Sequence, residues 1–145
     1  AQRYGEWGVS YLEEPVSSDD LDGLRWLRDR VPAGMQIAAG EYASDVDELE
    51  GLAGCVDIVQ GDVTRCGGVT GLLRADGICR AHGLRFSAHC APQASAHLCC
   101  AMESALHVEY FHDHARIESL LFDGALAAAA GHLCPDRSRP GARCA

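Results

Sequence analysis

A chain of 145 residues, 48% hydrophobic and 23% charged, holds enough apolar material for one core, yet it is too short for a closed barrel of eight strand-helix units, which takes about 250 residues. A net charge of −9 excludes a nucleic-acid backbone or an anionic membrane surface as partner, and the 12 basic residues form no stripe. No run approaches the roughly 20 apolar residues of a membrane span.

In chain order, Ala1 to Trp7 reads as the end of a helix cut from something longer. Val9-Ser10-Tyr11-Leu12-Glu13 then alternates as a strand, with Val9, Tyr11 and Glu13 on one face, until Pro15 stops it. Ser17, Ser18, Asp19 and Asp20 offer caps for a helix in which Leu21, Leu24, Leu27 and Val31 recur at helical spacing, ended by Pro32 and Gly34. A second strand runs from Met35 to Glu41. Ser44 or Asp45 caps a short helix with Val46, Leu49 and Leu52 inward, closed by Gly54.

The third strand, Val56 to Asp62, sets Ile58, Gln60 and Asp62 on one face and Val59 on the other, a pattern that needs cover on both sides as in a parallel sheet. Gly67, Gly68 and Gly71 open a helix whose buried side is Val69, Leu72, Leu73 and Cys79, and His82-Gly83 ends it. Leu84 to His89 is a fourth strand, Pro92 starts an alanine-rich helix reaching Met102, and Leu106 to Tyr110 is a fifth strand. Phe111 to Gly124 reads as a loop with a helical turn, and residues 125–145 as a poorly ordered tail. The 8 cysteines are scattered through these patterns without a Cys-x-x-Cys, which predicts reduced, mostly buried thiols in a cytoplasmic protein.

Each strand delivers one ionisable side chain at its C-terminal end: Glu13, Glu41, Asp62, His89 and Glu109, at intervals of 28, 21, 27 and 20 residues. Parallel strands joined by helices place all five at one rim, so the predicted fold is α/β, a partial TIM-type (β/α) barrel of about five parallel strands with intervening helices.

The rim has a chemistry. Glu13 and Glu41 end adjacent strands, and two converging carboxylates suit a hard divalent cation; standing apart, they are ordinary solvated acids. Asp62 beside His89 fixes the ring tautomer and raises its basicity, which makes a proton-abstracting base, or merely satisfies a buried histidine. Glu109 can hydrogen-bond the oxygen that becomes charged when a C–H alpha to a carboxylate is ionised. His107, His112 and His114 lack a clean ligand spacing and read as a histidine-rich rim loop, although zinc held by His112, His114 and a cysteine is the competing account. Gly67-Gly68-Val69-Thr70-Gly71 lacks the Lys-Ser/Thr of a phosphate loop and reads as close strand-helix packing. Cys90, next to His89 along a strand, is expected to point to the opposite face.

Taken together, Tyr11-Leu12-Glu13-Glu14-Pro15, Ile37-Ala38-Ala39-Gly40-Glu41, Asp57 to Asp62 with Arg65-Cys66-Gly67-Gly68-Val69-Thr70, Ser87-Ala88-His89 and Glu109 to His114 followed by Leu121-Phe122-Asp123-Gly124 closely resemble the mandelate racemase/muconate lactonizing branch of the enolase superfamily. The resemblance implies that residues 1–124 are the C-terminal part of a (β/α)7β barrel domain. It implies Mg2+ held by three carboxylates, of which Glu13 and Glu41 match the second and third, a base at His89 paired with Asp62, and Glu109 hydrogen-bonded to a small-molecule hydroxy-carboxylate substrate. The implied reaction begins by removing the proton alpha to a carboxylate, as in an acid-sugar (aldonate) dehydratase or a 2-hydroxy-acid racemase. A muconate-type cycloisomerase and a non-catalytic half-barrel module are the alternatives. The family's first metal ligand, its Lys-x-Lys strand, its capping domain and three barrel strands have no counterpart in this stretch. The piece alone is therefore expected to bind metal weakly, to be inactive, and to expose an apolar inner face prone to self-association, while the full-length protein is expected to be a homo-oligomer.

Overall fold

Five short strands lie side by side in chain order, and every neighbouring pair is parallel: β1 (Tyr11–Glu13), β2 (Gln36–Ala39), β3 (Ile58–Asp62), β4 (Arg85–His89) and β5 (Ala105–Val108). The computed structural model describes residues 1–138, 141, 143 and 144, the last two by backbone alone. Helices α2 (Leu21–Arg28), α3 (Val46–Leu52), α4 (Gly68–His82) and α5 (Pro92–Cys99) make the four crossovers, which produces a curled α/β half-barrel. A short α1 (Gln2–Glu6) precedes them, and α6 (His112–Leu121) follows. Beyond it, β6 (Phe122–Asp123) pairs antiparallel with β7 (Arg143–Cys144).

Local chemistry fixes the helix starts. The Asp20 carboxylate accepts the Gly23 N–H at 2.9 Å to cap α2. At α3 the cap falls on Asp45, which accepts the Glu48 N–H at 3.0 Å, while the Glu48 carboxylate reaches back to the Ser44 N–H at 2.7 Å, a reciprocal capping arrangement. Helix α4 runs between Gly67 and Gly83, both left-handed at φ +68, a conformation that costs a side chain dearly.

The apolar core fills the space between the outer face of the sheet and these helices. Ile37, Ala39, Val59, Phe86 and Ala88 point outward from the strands and meet Leu24, Leu49, Leu52, Leu72, Ala75 and Cys79. Cys55, Cys66, Cys79 and Cys90 are free, buried thiols, and burial pushes the Cys79 thiol up to about 11, so it packs as a small hydrophobe.

The inner face is more polar than expected. Gln60 pairs in register with Ser87, and Ser87 with His107. The Ser87 hydroxyl and His107 Nε2 are 2.9 Å apart, and the Tyr11 ring meets the His107 ring edge-on at 5.4 Å. His107 is thus a strand residue of this interior layer, not part of a rim loop. Within this layer the Ser87–His107 contact is satisfied, whereas the Tyr11 hydroxyl and Gln60 Oε1 are buried without a hydrogen-bond partner.

The segment after β5 also departs from expectation, since it is a ten-residue helix and not a loop with one turn. Its sequence carries no continuous apolar stripe, and none of its residues is buried. What docks it is polar: both oxygens of Glu118 accept the Gln93 N–H, each at 3.2 Å, at the start of α5. No helix among the described residues is long and apolar enough to cross a membrane.

Helix α4 offers a controlled test of its packing. A Cβ on Gly71 would fall inside the Cys66 carbonyl, a backbone atom that cannot yield, whereas a Cβ on exposed Gly77 meets nothing within 4 Å. Gly77→Ala is expected to stabilise the chain by up to about 1 kcal/mol through helix propensity. Gly71→Ala is expected to destabilise it by about 1–3 kcal/mol through overpacking, both read by urea denaturation.

Candidate active site

The parallel register decides which rim residues meet. Asp62 and His89 are directly opposite one another as the last residues of β3 and β4. Asp62 Oδ2 and His89 Nδ1 stand 3.0 Å apart, and both side chains are buried. One residue past β5, Glu109 continues the ladder through its N–H to the Ala88 carbonyl at 3.0 Å. Glu41 lies two residues past β2, beyond Gly40, whose φ of +126 and whose contact with the Gln60 carbonyl leave no room for a side chain.

Burial by itself would raise the Asp62 carboxyl. The Thr64 hydroxyl and N–H, each donating to Oδ1 at 2.7 Å, together with the His89 ring, reverse that and hold Asp62 below the ordinary carboxylate range. Asp62 is therefore an ionised acceptor, and the imidazole presents its Nδ1–H to it. That leaves Nε2 without its proton and turned away from Asp62.

Three groups converge on Nε2. Glu41 Oε2 and Cys90 Sγ are each 3.2 Å away, and Glu109 Oε2 is 3.8 Å away. Cys90 thus corrects the expectation that it points to the opposite face. The strand ends at His89, and Cys90 and Ala91 take left-handed backbones at φ +51 and +39, which swing the thiol back over the ring. Burial and the charges of Glu109, Asp62 and Glu41 push this thiol up to about 11, so at neutral pH it is a weak donor and not a nucleophile. The ring has partners in both its forms. A bare Nε2 receives the thiol, and a protonated one donates to Glu41.

Glu109 is held from behind. Gln60 Nε2 donates to its Oε1 at 2.7 Å, while its Oε2 is buried with no hydrogen-bond partner. Glu13 ends β1 beside this group. Partial desolvation, then the charges of Glu109 and Glu41, push its carboxyl above the ordinary range, against a counteracting hydrogen bond from Gln60. Carboxylates crowded in this way repel one another until a cation joins them, and oxygen donors suit a hard divalent ion. The residues present fit such an ion, since Glu13 and Glu41 offer it carboxylate oxygens.

Arg65 is the cation that ion pairs bring to the rim, 3.6 Å from Asp62, 3.9 Å from the Glu41 carboxylate and donating to the Glu41 carbonyl at 2.9 Å. Sequence reasoning did not assign roles to Arg65, Gln60 or Thr64. The signal for Thr64 was its place two residues after an aspartate, where a side-chain-to-backbone turn forms. His112 and His114 sit on α6, and His114 Nδ1 takes the Ala91 N–H at 3.4 Å. Among the described residues the metal-type grouping of nitrogen, sulfur and oxygen donors is His89, Cys90 and Glu109, and neither of those two histidines enters it.

Comparison with known proteins gives a consistent neighbourhood. Residues 1–142 match the family model described as enolase C-terminal domain-like. A mandelate racemase/muconate lactonizing enzyme-like protein from Rubrobacter xylanophilus, known from its crystal structure, is 65% identical with a TM-score of 0.91, over 97% of this chain and 40% of that one. An enolase from Bradyrhizobium, crystallised with magnesium and mandelic acid, is 27% identical with a TM-score of 0.79, over 89% of this chain and 35% of that one. An L-rhamnonate dehydratase from Saccharopolyspora erythraea is 30% identical over 116 residues, which is 79% of this chain and 30% of that protein. The chain thus spans 30% to 40% of the length of these relatives.

The raised Glu13 carboxyl has a testable sign. A carboxyl lifted above its unfolded value destabilises the fold wherever it is ionised, so the penalty is present at pH 7 and disappears as pH falls through that raised value. Glu13→Gln is expected to raise the melting temperature at pH 7 without divalent ions, and the gain should shrink towards zero near pH 4. Thermal melts at the two pH values check it.

Proposed function

The chain belongs to the enolase C-terminal domain-like family of mandelate racemase/muconate lactonizing enzyme-like proteins, and from that premise we propose that it is barrel material of a magnesium-dependent enzyme that removes the proton alpha to a carboxylate. The observation that carries this reading is the buried Asp62–His89 contact of 3.0 Å, which turns a single imidazole nitrogen towards the carboxylates of Glu41 and Glu109. Relatives crystallised with magnesium and acid ligands support it. Residues 1–124 are read as the barrel portion, with the rest of the activity supplied by sequence outside this stretch.

His89 Nε2 is the base in this reading. Asp62 orients the ring, keeps the first proton on Nδ1 and stabilises the imidazolium formed when Nε2 takes the substrate proton. Glu41, 3.2 Å from Nε2, then receives the new N–H. Glu109, fixed by Gln60 at one oxygen, has its other oxygen free to share a proton with the substrate carboxylate as charge builds there. Magnesium, held by Glu13 and Glu41 when bound, supplies positive charge beside that carboxylate and so acidifies the adjacent C–H.

Acid-sugar dehydration is the favoured outcome, and similarity to an L-rhamnonate dehydratase supports it. Once the alpha proton is on His89, the beta hydroxyl takes a proton from the imidazolium and leaves as water, which yields an enol that tautomerises to a keto acid. A proton delivered to the other face by a second acid outside this stretch instead gives the epimer, the racemase outcome.

Incubating aldonates with the full-length protein in heavy water tests the proposal. Magnesium-dependent incorporation of deuterium at the alpha carbon, or a keto-acid product, is expected, and its absence across an acid-sugar panel would sink the reading. His89→Gln should lower the rate by about 10²- to 10⁴-fold. The 145-residue chain by itself should be inactive.

A further inference from the structure

We propose that His89, Cys90 and Glu109 form a binding site for a thiophilic divalent cation, zinc foremost, whose sulfur and nitrogen donors set it apart from the Glu13–Glu41 pair that suits magnesium. The three donor atoms lie within 4.8 Å of one another. Sγ is 3.2 Å and Glu109 Oε2 is 3.8 Å from Nε2. Donors bound tetrahedrally to zinc, at about 2.0 Å for nitrogen or oxygen and 2.3 Å for sulfur, stand roughly 3.3–3.5 Å apart, so small side-chain shifts close the three around one ion. Glu41 Oε2, 3.2 Å from the same nitrogen, is in place as a fourth donor.

Each donor is prepared for this use by something outside the trio. Asp62 accepts the His89 Nδ1–H at 3.0 Å, the carboxylate–histidine pairing that fixes the tautomer of zinc-ligating imidazoles and leaves Nε2 bare. Glu109 Oε2 is buried without a hydrogen-bond partner, an arrangement that costs free energy unless something occupies the space it faces. Two successive non-glycine residues in left-handed conformations, Cys90 and Ala91, aim the sulfur at the ring, and strain of this sort collects where a side chain must be delivered to a set place.

A mixed sulfur, nitrogen and oxygen set also discriminates between ions. Thiolate and imidazole select zinc and its softer neighbours, whereas magnesium takes oxygen ligands and keeps much of its water. Binding exchanges the thiol proton for the metal: one sulfur–metal bond forms, the S–H bond breaks, and the proton leaves to buffer. If His89 is the base assigned above, an ion here occupies its lone pair and switches the enzyme off. The site itself stands whether or not that assignment does.

Cobalt(II) is the probe, added to the 145-residue chain with folding followed by circular dichroism. A thiolate-to-cobalt charge-transfer band saturating at one ion per chain, and displaced by zinc but not by excess magnesium, is expected. Cys90→Ser should abolish the band, and the double variant Cys100→Ser/Cys134→Ser, at exposed positions, should keep it. Asp62→Asn should retain the band with about 10- to 100-fold weaker affinity, as loss of an orienting partner predicts. No band from the folded chain, or a band undiminished in Cys90→Ser, overturns the proposal. Zinc X-ray absorption on the unaltered chain gives the same decision without a variant: one sulfur at about 2.3 Å supports it, and none, or two or more, refutes it. Alpha-proton exchange by the full-length protein tests the catalytic reading separately, so either can fail without the other.

Discussion

One registered pair organises this half-barrel. Asp62 and His89 face each other across β3 and β4 because five consecutive residue pairs of those strands are in register, from Ile58–Arg85 to Asp62–His89. Slipping either strand by one residue would turn Val59 and Phe86 out of the core and the carboxylate and imidazole into it. The apolar packing of Phe86 and Val59 against α3 and α4 therefore sets a polar contact on the other side of the sheet. Burial then reinforces the contact, since Asp62 stays ionised only through the donors of Thr64 and His89.

The rest of the rim follows from how each strand ends. At β2, Gly40 lets the chain pass the Gln60 carbonyl and bring Glu41 back over His89. At β4, left-handed Cys90 returns the chain onto the same ring. At β5, the ladder persists to Glu109, which Gln60 then clamps from the layer below. Carboxylates from two strands, Glu41 and Glu109, thus crowd Nε2 while Asp62 from a third holds Nδ1, with Arg65 as the compensating cation. Such crowding does not stabilise a fold: after desolvation, the charges of Glu109 and Glu41 add to the upward shift of Glu13. Its physical sense lies in charge that arrives later, on a metal ion or on a ring that takes up a proton.

Strands, crossovers and rim residues were legible because each rests on a short-range rule. Alternation put Gln60 and Asp62 on one face, flanking Val59 marked a strand buried on both sides, and glycines marked where α4 begins and ends. What was not legible depends on backbone turns and on polar docking. Cys90 obeys strand alternation only while the strand continues, and although the end at His89 was legible, nothing local announces the left-handed backbones of Cys90 and Ala91 that follow. Helix α6 has no apolar stripe, so its anchoring through Glu118 to the Gln93 N–H is invisible to periodicity. The polar inner layer of Ser87, His107 and Gln60 was hidden for a related reason: each residue looks isolated in sequence, and only register makes them partners.

Hard and soft donors share this rim without merging. Glu13 and Glu41 offer oxygen alone, while the thiol of Cys90, 3.2 Å from Nε2 beside the unpaired oxygen of Glu109, adds a softer donor. The imidazole lies between them because Asp62 fixes its orientation and tautomer together. One ring nitrogen can then serve as a proton acceptor or as a metal ligand, and both uses need the same lone pair. A bare imidazole nitrogen beside a thiol attracts ions that prefer nitrogen and sulfur, so an ion held through Cys90 and a proton compete for the one lone pair of Nε2.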